Sequence, residues 1–165
     1  TSLADGNKAA NACDHAYPFV RDAILRMKPW NCAIKRVVLS PLVSTPEYLY
    51  TYEYQIPSDS LKILEVDTDY DWVVEGRKIR TDEGTVLNVR YIFREEDPNQ
   101  YDSILFELMA ARMAYEMAEE LTQSNSKVAE AKQNYREVLA DAGINDGQEG
   151  SASTFKEDSW ITVRF

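Results

Sequence analysis

The spacing of apolar residues changes twice along this 165-residue chain, and these changes restrict the fold more than any other feature. Residues 7–28 carry an apolar side chain at every third or fourth position, which is the period of an amphipathic helix. Residues 34–93 alternate with a period of two, which is typical of strands, and the helical period returns at 98–142. The sequence therefore predicts an α+β fold. It has a helical bundle or hairpin body, a small, mostly antiparallel β-sheet inserted between the first and last helices, and an extended C-terminal tail.

The first predicted helix, 7–28, contains a proline at position 18. Proline lacks a backbone N–H group and crowds the preceding turn, so we expect either a kink at Pro18 or two helices that meet at Tyr17. Pro29 ends the helical pattern, and Trp30 is expected to fill the core just beyond it.

The clearest strand signal is the run 48–56, in which Tyr48, Tyr50, Tyr52 and Tyr54 fall on one face. Further strands are predicted at 61–66, 72–75, 77–81 and 87–93, with Gly76 and Gly84 at turns that need a positive φ, which favours an antiparallel meander. The tyrosine face is expected to pack against the helices, and to form a contact patch if it is exposed.

Two further helices are predicted after the sheet. Asp97, Pro98 and Gln100 form a capping-box signature, so a helix should span 98–121. A second should span 126–142 and end at Gly143 as its C-cap, and the short polar connection predicts an antiparallel helical hairpin. We therefore expect one domain at 1–146 and a separate tail at 147–165.

The predicted tail combines a polar connector with an apolar end. Small and polar residues dominate its first part, which is typical of a flexible connector. Its last part carries four apolar residues, Trp160, Ile161, Val163 and Phe165. Such an end is costly to leave in water, so we expect it to dock on another surface.

The charge of the chain argues against nucleic-acid binding. With 18 basic and 28 acidic residues, the net charge is −10, whereas affinity for a phosphate backbone comes from lysine and arginine. Stacking of bases on the tyrosine strand conflicts with this charge as well. Acidic residues concentrate in the helix predicted at 98–121, where they form either a solvated face or a surface that repels polyanions or meets a basic partner; the candidates are Glu107, Glu116, Glu119 and Glu120.

Motifs for catalysis or metal binding are weak. Asp67, Asp69 and Asp71 begin like a calcium loop, but Trp72 and Lys78 replace the glycine and the glutamate that such a loop needs, so we favour solvated turn carboxylates. A small metal-dependent hydrolase that uses these three aspartates remains the alternative. Two further expectations are that the cysteines at 13 and 32 are free thiols and that the apolar runs are too short to span a membrane.

Four segments of the chain resemble one protein family. They are 21–41 (RDAILRMKPWNCAIKRVVLSP), 56–67 (IPSDSLKILEVD), 71–79 (DWVVEGRKI) and 148–160 (QEGSASTFKEDSW). In this order they make the chain similar to the tail tubular protein A-like head-to-tail adaptors of short-tailed, podovirus-type bacteriophages. The resemblance covers nearly the whole chain, although each motif alone is weak.

This resemblance implies a structural virion protein that is not an enzyme and has no cofactor. Such adaptors form a homo-oligomeric ring, commonly of twelve copies, below the portal protein. The ring joins the portal to the tail nozzle protein and tail fibres and lets DNA pass without specific binding. The expected location is the tail and neck region of the virion, and the host cytoplasm during assembly.

The resemblance also suggests a role for each candidate surface. The four apolar tail residues would bind the portal or a neighbouring subunit. The four glutamates would face the lumen, where like-charge repulsion keeps DNA from adhering. The four tyrosines would form a contact face for a tail protein.

Overall fold

The computed structural model describes residue 6 and residues 8–145, with side chains through residue 142. In this part of the chain, three α-helices and six strands confirm the predicted α+β class. The helices are α1 (Lys8–Met27), α2 (Ser103–Thr122) and α3 (Asn125–Asn145). The strands are β1 (Ile34–Leu39), β2 (Tyr52–Gln55), β3 (Ser60–Asp67), β4 (Trp72–Glu75), β5 (Lys78–Thr81) and β6 (Leu87–Phe93). The predicted tail at 147–165 lies outside the described residues.

The strands form two antiparallel sheets instead of the predicted single meander. The first sheet has the order β1-β6-β3 and the second has the order β2-β5-β4. In the described part of the chain, β4 and β5 are the only two strands that follow each other in sequence and also pair with each other. The central place of β6 has a physical reason, because five of its seven residues are buried and an edge position would expose them.

The tyrosine-rich strand is shorter than predicted. Strand β2 begins at Tyr52, while the preceding residues lie in bends and Leu49 has a φ of +72°. A positive φ breaks the extended backbone that keeps alternate side chains on one face. Thr51 is also held outside the strand, because its N–H and hydroxyl groups donate to the Asp82 carboxylate at 2.9 and 2.8 Å. The prediction that four tyrosines share one strand face is therefore wrong.

The two glycines assigned to hairpin turns differ. Gly76 and Arg77 have φ values of +56° and +61° and form the two-residue turn between β4 and β5, so the prediction for Gly76 is confirmed. Gly84 does not have a positive φ, and its prediction is wrong. A Cβ atom at Gly84 would lie 2.9 Å from the ring of Tyr52, so this position needs space for the ring instead of an unusual dihedral angle.

Helix α1 passes through Pro18 as one continuous helix, so the alternative of two helices that meet at Tyr17 is wrong. Proline costs the helix one backbone hydrogen bond. Burial of Ile24 and Leu25 in the following turns fixes the second half of the helix against the rest of the fold. Trp30 fills the core beyond the helix as predicted, and its Nε1 donates to the carbonyl oxygen of Ile24 at 3.1 Å.

Helix α2 begins at Ser103, five residues later than predicted. Asp97 does cap a helical turn, but this is a short 3-10 turn at Pro98–Gln100, where its carboxylate accepts from the N–H of Asn99 at 3.0 Å. A second acidic cap, Asp102, then starts α2 by accepting from the N–H of Leu105 at 2.7 Å. The sequence signature therefore marked the first of two successive caps.

Helices α2 and α3 form the predicted antiparallel hairpin. Gln123 adopts a left-handed conformation at the end of α2, and α3 starts two residues later. The rings of Tyr115 and Tyr135 stack across the pair with centroids 6.4 Å apart. Helix α3 continues to Asn145, so the prediction that Gly143 closes it at 142 is wrong.

The core has two parts, one on each side of the first sheet. Because neighbouring residues of a strand point to opposite faces, β6 contributes Ile92 to one part and Val89 to the other. The helical core lies between the three helices and this sheet. The second core lies between the two sheets and is built around Tyr54, Ile79 and Leu87.

Candidate interaction surfaces

A groove of about 340 Å³ lies between β3, β4 and the C-terminal end of α1. Ile56 and Ile63 contribute apolar surface to it, while Trp72 and Val74 of β4 remain 38% and 44% exposed. Exposed large apolar residues beside a concave surface are typical of a binding site.

The rim of this groove is basic in a strongly acidic protein. Arg26, Lys62 and Arg77 line it, and none of the acidic side chains in the described part of the chain does. Arg26 donates to the carbonyl oxygen of Leu61, and Arg77 Nη2 donates to the carbonyl oxygen of Pro57 at 2.7 Å. None of the ion pairs among the described residues involves these three cations. The groove therefore favours an anionic group. We call it the basic groove.

The basic groove also lies between two sheet edges. Strand β3 is an outer strand of the first sheet and β4 is an outer strand of the second, as far as the described chain shows. An outer strand has one row of backbone N–H and C=O groups that can pair with an added extended segment. Apolar surface, positive charge and open strand edges thus occur together here.

The predicted acidic residues of α2 are all exposed, but they do not form one surface. Glu116, Glu119 and Glu120 lie within a sector of about 100° on a helix of 3.6 residues per turn, whereas Glu107 lies about 180° from Glu116. Glu116 pairs with Arg112 Nη2 at 2.5 Å, and the backbone oxygen of Glu120 accepts from Lys8 Nζ at 2.8 Å. We call the three clustered glutamates the acidic side of α2.

The acidic side and the basic groove lie at opposite ends of α1. Helices α1 and α2 are antiparallel, because Lys8 contacts Glu120 while Tyr17 Oη lies 3.4 Å from Tyr101 Oη. Arg26, at the other end of α1, is 18 residues from Lys8, which corresponds to about 27 Å along the helix. One subunit therefore cannot neutralise its own groove with this acidic side.

The four predicted tyrosines occupy different environments. Tyr54 is fully buried, and its hydroxyl lies 2.5 and 2.6 Å from the carbonyl oxygens of Glu83 and Thr85. Burial raises the pKa of Tyr54 above its ordinary value. Tyr52 and Tyr50 are half-buried, whereas Tyr48 is exposed on the β1–β2 loop together with the apolar side chains of Val43 and Leu49. The structure thus separates the predicted contact face into a core residue and a loop surface.

The buried carboxylate of Glu53 was not singled out by the sequence. It accepts from Lys78 Nζ at 2.5 Å and from the Ser44 hydroxyl, and Arg80 Nε lies 4.0 Å away. The hydrogen bond from Lys78, followed by that from Ser44, holds the pKa of Glu53 below its ordinary value. The backbone oxygen of Glu53 also accepts from the N–H of Leu42. Glu53 therefore fixes the β1–β2 loop to the second sheet.

The sequence does contain a signal for the ion pair of Glu53, namely two basic residues on β5. Lys78 and Arg80 alternate on one strand, and the register places Gln55 and Glu53 opposite them. This signal can be recognised only when the pairing of β2 with β5 is known, and a single sequence does not reveal that pairing.

The three aspartates at 67, 69 and 71 are exposed at the end of β3 and in the turn that follows. Asp67 Oδ2 accepts from Asn88 Nδ2 at 3.2 Å. In the described part of the chain, no group of three or more histidine, cysteine, aspartate or glutamate side chains could hold a metal ion. The exposure agrees with solvated turn carboxylates, and no described ligand cluster favours the hydrolase alternative.

Both cysteines are free, as expected. The Sγ of Cys13 lies 3.1 Å from the Sδ of Met117, and burial raises the pKa of the Cys32 thiol, which disfavours the reactive thiolate. None of the helices among the residues described is long and apolar enough to cross a bilayer.

The predicted docking residues Trp160, Ile161, Val163 and Phe165 lie outside the described residues. The place where the chain leaves the described fold is nevertheless defined, because Lys28 Nζ donates to the carbonyl oxygen of Ala142. The end of α3 therefore lies beside the C-terminal end of α1, the helix end that also carries Arg26 of the basic groove.

No protein-family model matches the chain, and no curated protein is significantly similar to it.

Proposed function

We propose that this protein is a structural head-to-tail adaptor of a short-tailed bacteriophage. In this role it forms a ring below the portal, commonly of twelve copies, and joins the portal to the tail nozzle while DNA passes through the centre. The proposal rests on the family resemblance of the sequence. The structural observation that supports it is the separation of a basic groove and an acidic side by about 27 Å within one subunit.

This separation suits a ring because a ring repeats one heterologous contact. Each subunit must then present two different surfaces that are complementary to each other. The two surfaces must also be far enough apart that they do not contact each other within one subunit. The acidic side of α2, with Glu116, Glu119 and Glu120, complements the rim formed by Arg26, Lys62 and Arg77. Complementary charge of this kind favours correct pairing more than it adds affinity.

The lumen of the ring would be lined by a different part of α2. Glu107 lies about 180° from Glu116, so α2 can direct Glu107 toward the channel while its acidic side contacts a neighbour. Repeated around the ring, this carboxylate would repel the DNA backbone and oppose adhesion during ejection. The exposed β1–β2 loop with Tyr48 would then be the contact for a tail protein.

A charge-swap experiment tests the ring contact. Particle mass would be measured for the full chain alone and after mixing with a portal ring. Lys62→Glu and Glu119→Lys should each reduce ring assembly, and the double variant should restore it because the two charges are exchanged. Arg36→Glu is the matched control, since Arg36 is an exposed base on β1 outside the groove. Full assembly of both single variants would contradict this contact.

The docking role of the tail needs a separate test. Deletion of 147–165 should leave the α+β part folded and weaken binding to the portal. Binding would be measured as the amount of protein that co-sediments with portal rings. Unchanged binding of the truncated chain would count against portal docking by Trp160, Ile161, Val163 and Phe165.

A further inference from the structure

The basic groove has the features of a site for an extended peptide. Trp72 and Val74 present apolar surface along β4, and the outer edge of this strand is open in the described chain. Peptides that add to a strand edge gain affinity from backbone hydrogen bonds and specificity from alternate side chains.

Charge restricts which peptide the groove accepts. Arg26 and Arg77 are held in place by backbone carbonyl oxygens, so their guanidinium groups are positioned but carry no carboxylate partner among the described residues. Lys62 adds a third positive charge. A suitable peptide therefore combines alternating apolar side chains with acidic residues.

Residues 157–165 of the chain itself have this composition. Ile161, Val163 and Phe165 alternate, so an extended backbone places them on one face. Glu157 and Asp158 precede them and supply two negative charges, while Arg164 lies among the alternating residues on the opposite face, so the side chains of the segment carry a net charge of −1. The segment thus matches the groove in period and in charge.

The segment also starts from a suitable place. Lys28 bonds to Ala142 at the end of α3, and Arg26, two residues before Lys28, lines the groove. Helix α3 ends at Asn145. The 12 residues from 145 to 157 can span about 40 Å when extended, and a flexible chain of this length covers about 20 Å on average. A tether of this length gives a local concentration of about 1 mM, which favours the groove of the same chain over that of another copy in dilute solution.

We propose that the basic groove binds residues 157–165 of the same chain in the free subunit. The segment adds to the open edge of β4, with its alternating apolar residues against Trp72 and Val74 and its acidic residues toward the basic rim. This contact covers the apolar end until another surface competes for it. The inference concerns the free chain and does not depend on the adaptor role.

Hydrogen–deuterium exchange of the full chain tests this contact. At a local concentration of about 1 mM and a dissociation constant of about 0.1 mM, amides of 159–165 should exchange about tenfold more slowly than in an isolated peptide of the same sequence. Lys62→Glu and Trp72→Ser should remove this protection. Arg36→Glu, outside the groove, should retain it, and circular dichroism would verify that each variant is folded.

A second charge exchange separates direct contact from a change in folding. Asp158→Lys should lose the protection, and combination with Lys62→Glu should restore it. Exchange of 159–165 at the peptide rate in the unaltered chain would overturn the proposal, as would equal protection in all variants. Protection that disappears on dilution would also overturn it, because the contact would then lie between copies.

Discussion

The two cores of this protein are stabilised in different ways. The helical core is filled by aliphatic side chains such as Ile24, Leu105 and Leu108, which are essentially inaccessible to solvent. The core between the sheets surrounds Tyr54 and adjoins the buried carboxylate of Glu53, so hydrogen bonds and an ion pair contribute there. Both cores bury aliphatic side chains, but the second adds the hydrogen bonds of the Tyr54 hydroxyl and the ion pair of Glu53 at its margin. The region with directional contacts is also the one that carries the β1–β2 loop and one wall of the basic groove.

The largest expected effect tests the aliphatic core. Leu108→Ala removes a fully buried side chain and should lower the free energy of unfolding by about 2–5 kcal/mol. Phe106→Ala, two residues earlier on α2, is the control because Phe106 is 59% exposed, and its effect should stay within about 0.5 kcal/mol. Chemical denaturation measures both. A similar decrease in the free energy of unfolding for the two variants would contradict the assignment of the buried side of α2.

The second effect tests the directional contacts of the other core. Tyr54→Phe keeps the ring but leaves the carbonyl oxygens of Glu83 and Thr85 without this donor, which should cost about 1–3 kcal/mol. Tyr48→Phe is the matched control, because the Tyr48 side chain is exposed. If both substitutions were neutral in denaturant titrations, the hydrogen bonds of the Tyr54 hydroxyl would not contribute to the stability of the second core.

A smaller effect distinguishes the two turn glycines. Gly76→Ala places a side chain at a φ of +56° and should cost about 1–2 kcal/mol. Gly84→Ala should cost less than about 1 kcal/mol, because the clash involves the far end of the Tyr52 ring, which can turn away. The thermal unfolding midpoints of the two variants provide the comparison. A lower midpoint for Gly84→Ala than for Gly76→Ala would show that the Tyr52 ring cannot turn away.

The smallest expected effect is a change in pH dependence. The pKa of Glu53 is lowered in the folded state, so its contribution to stability is present above the ordinary glutamate pKa of about 4.3 and is lost as the pH falls below it. Glu53→Gln should therefore flatten the acid side of the stability profile, measured by urea titration between about pH 3 and pH 6. Glu47→Gln, an exposed glutamate, should leave the slope unchanged.

Local patterns of the sequence predicted the helical part of the fold well. The periods of α2 and α3 and the turn at Gly76 depend on neighbouring residues, and the structure agrees with them. The start of β2 could not be predicted, because it depends on the bonds from Thr51 to Asp82, 31 residues away. The division into two sheets depends in the same way on distant pairing, such as that of β2 with β5.

The candidate surfaces follow the same rule. The sequence identified the acidic residues of α2, but the helix period separates Glu107 from the other three. The basic groove was not predicted, because Arg26, Lys62 and Trp72 belong to three elements that meet only in the folded chain. No short motif joins residues that are this far apart in sequence.

The contacts at the two ends of α1 give the subunit a polarity that matters for any added module. A module attached upstream of Lys8 emerges beside the acidic end of α2, because Lys8 contacts Glu120 there. A module attached directly after Asn145 emerges near the opposite end of α1, because Lys28 contacts Ala142 there. A fluorescent protein joined directly before Lys8 or directly after Asn145 would therefore report on opposite ends of the subunit.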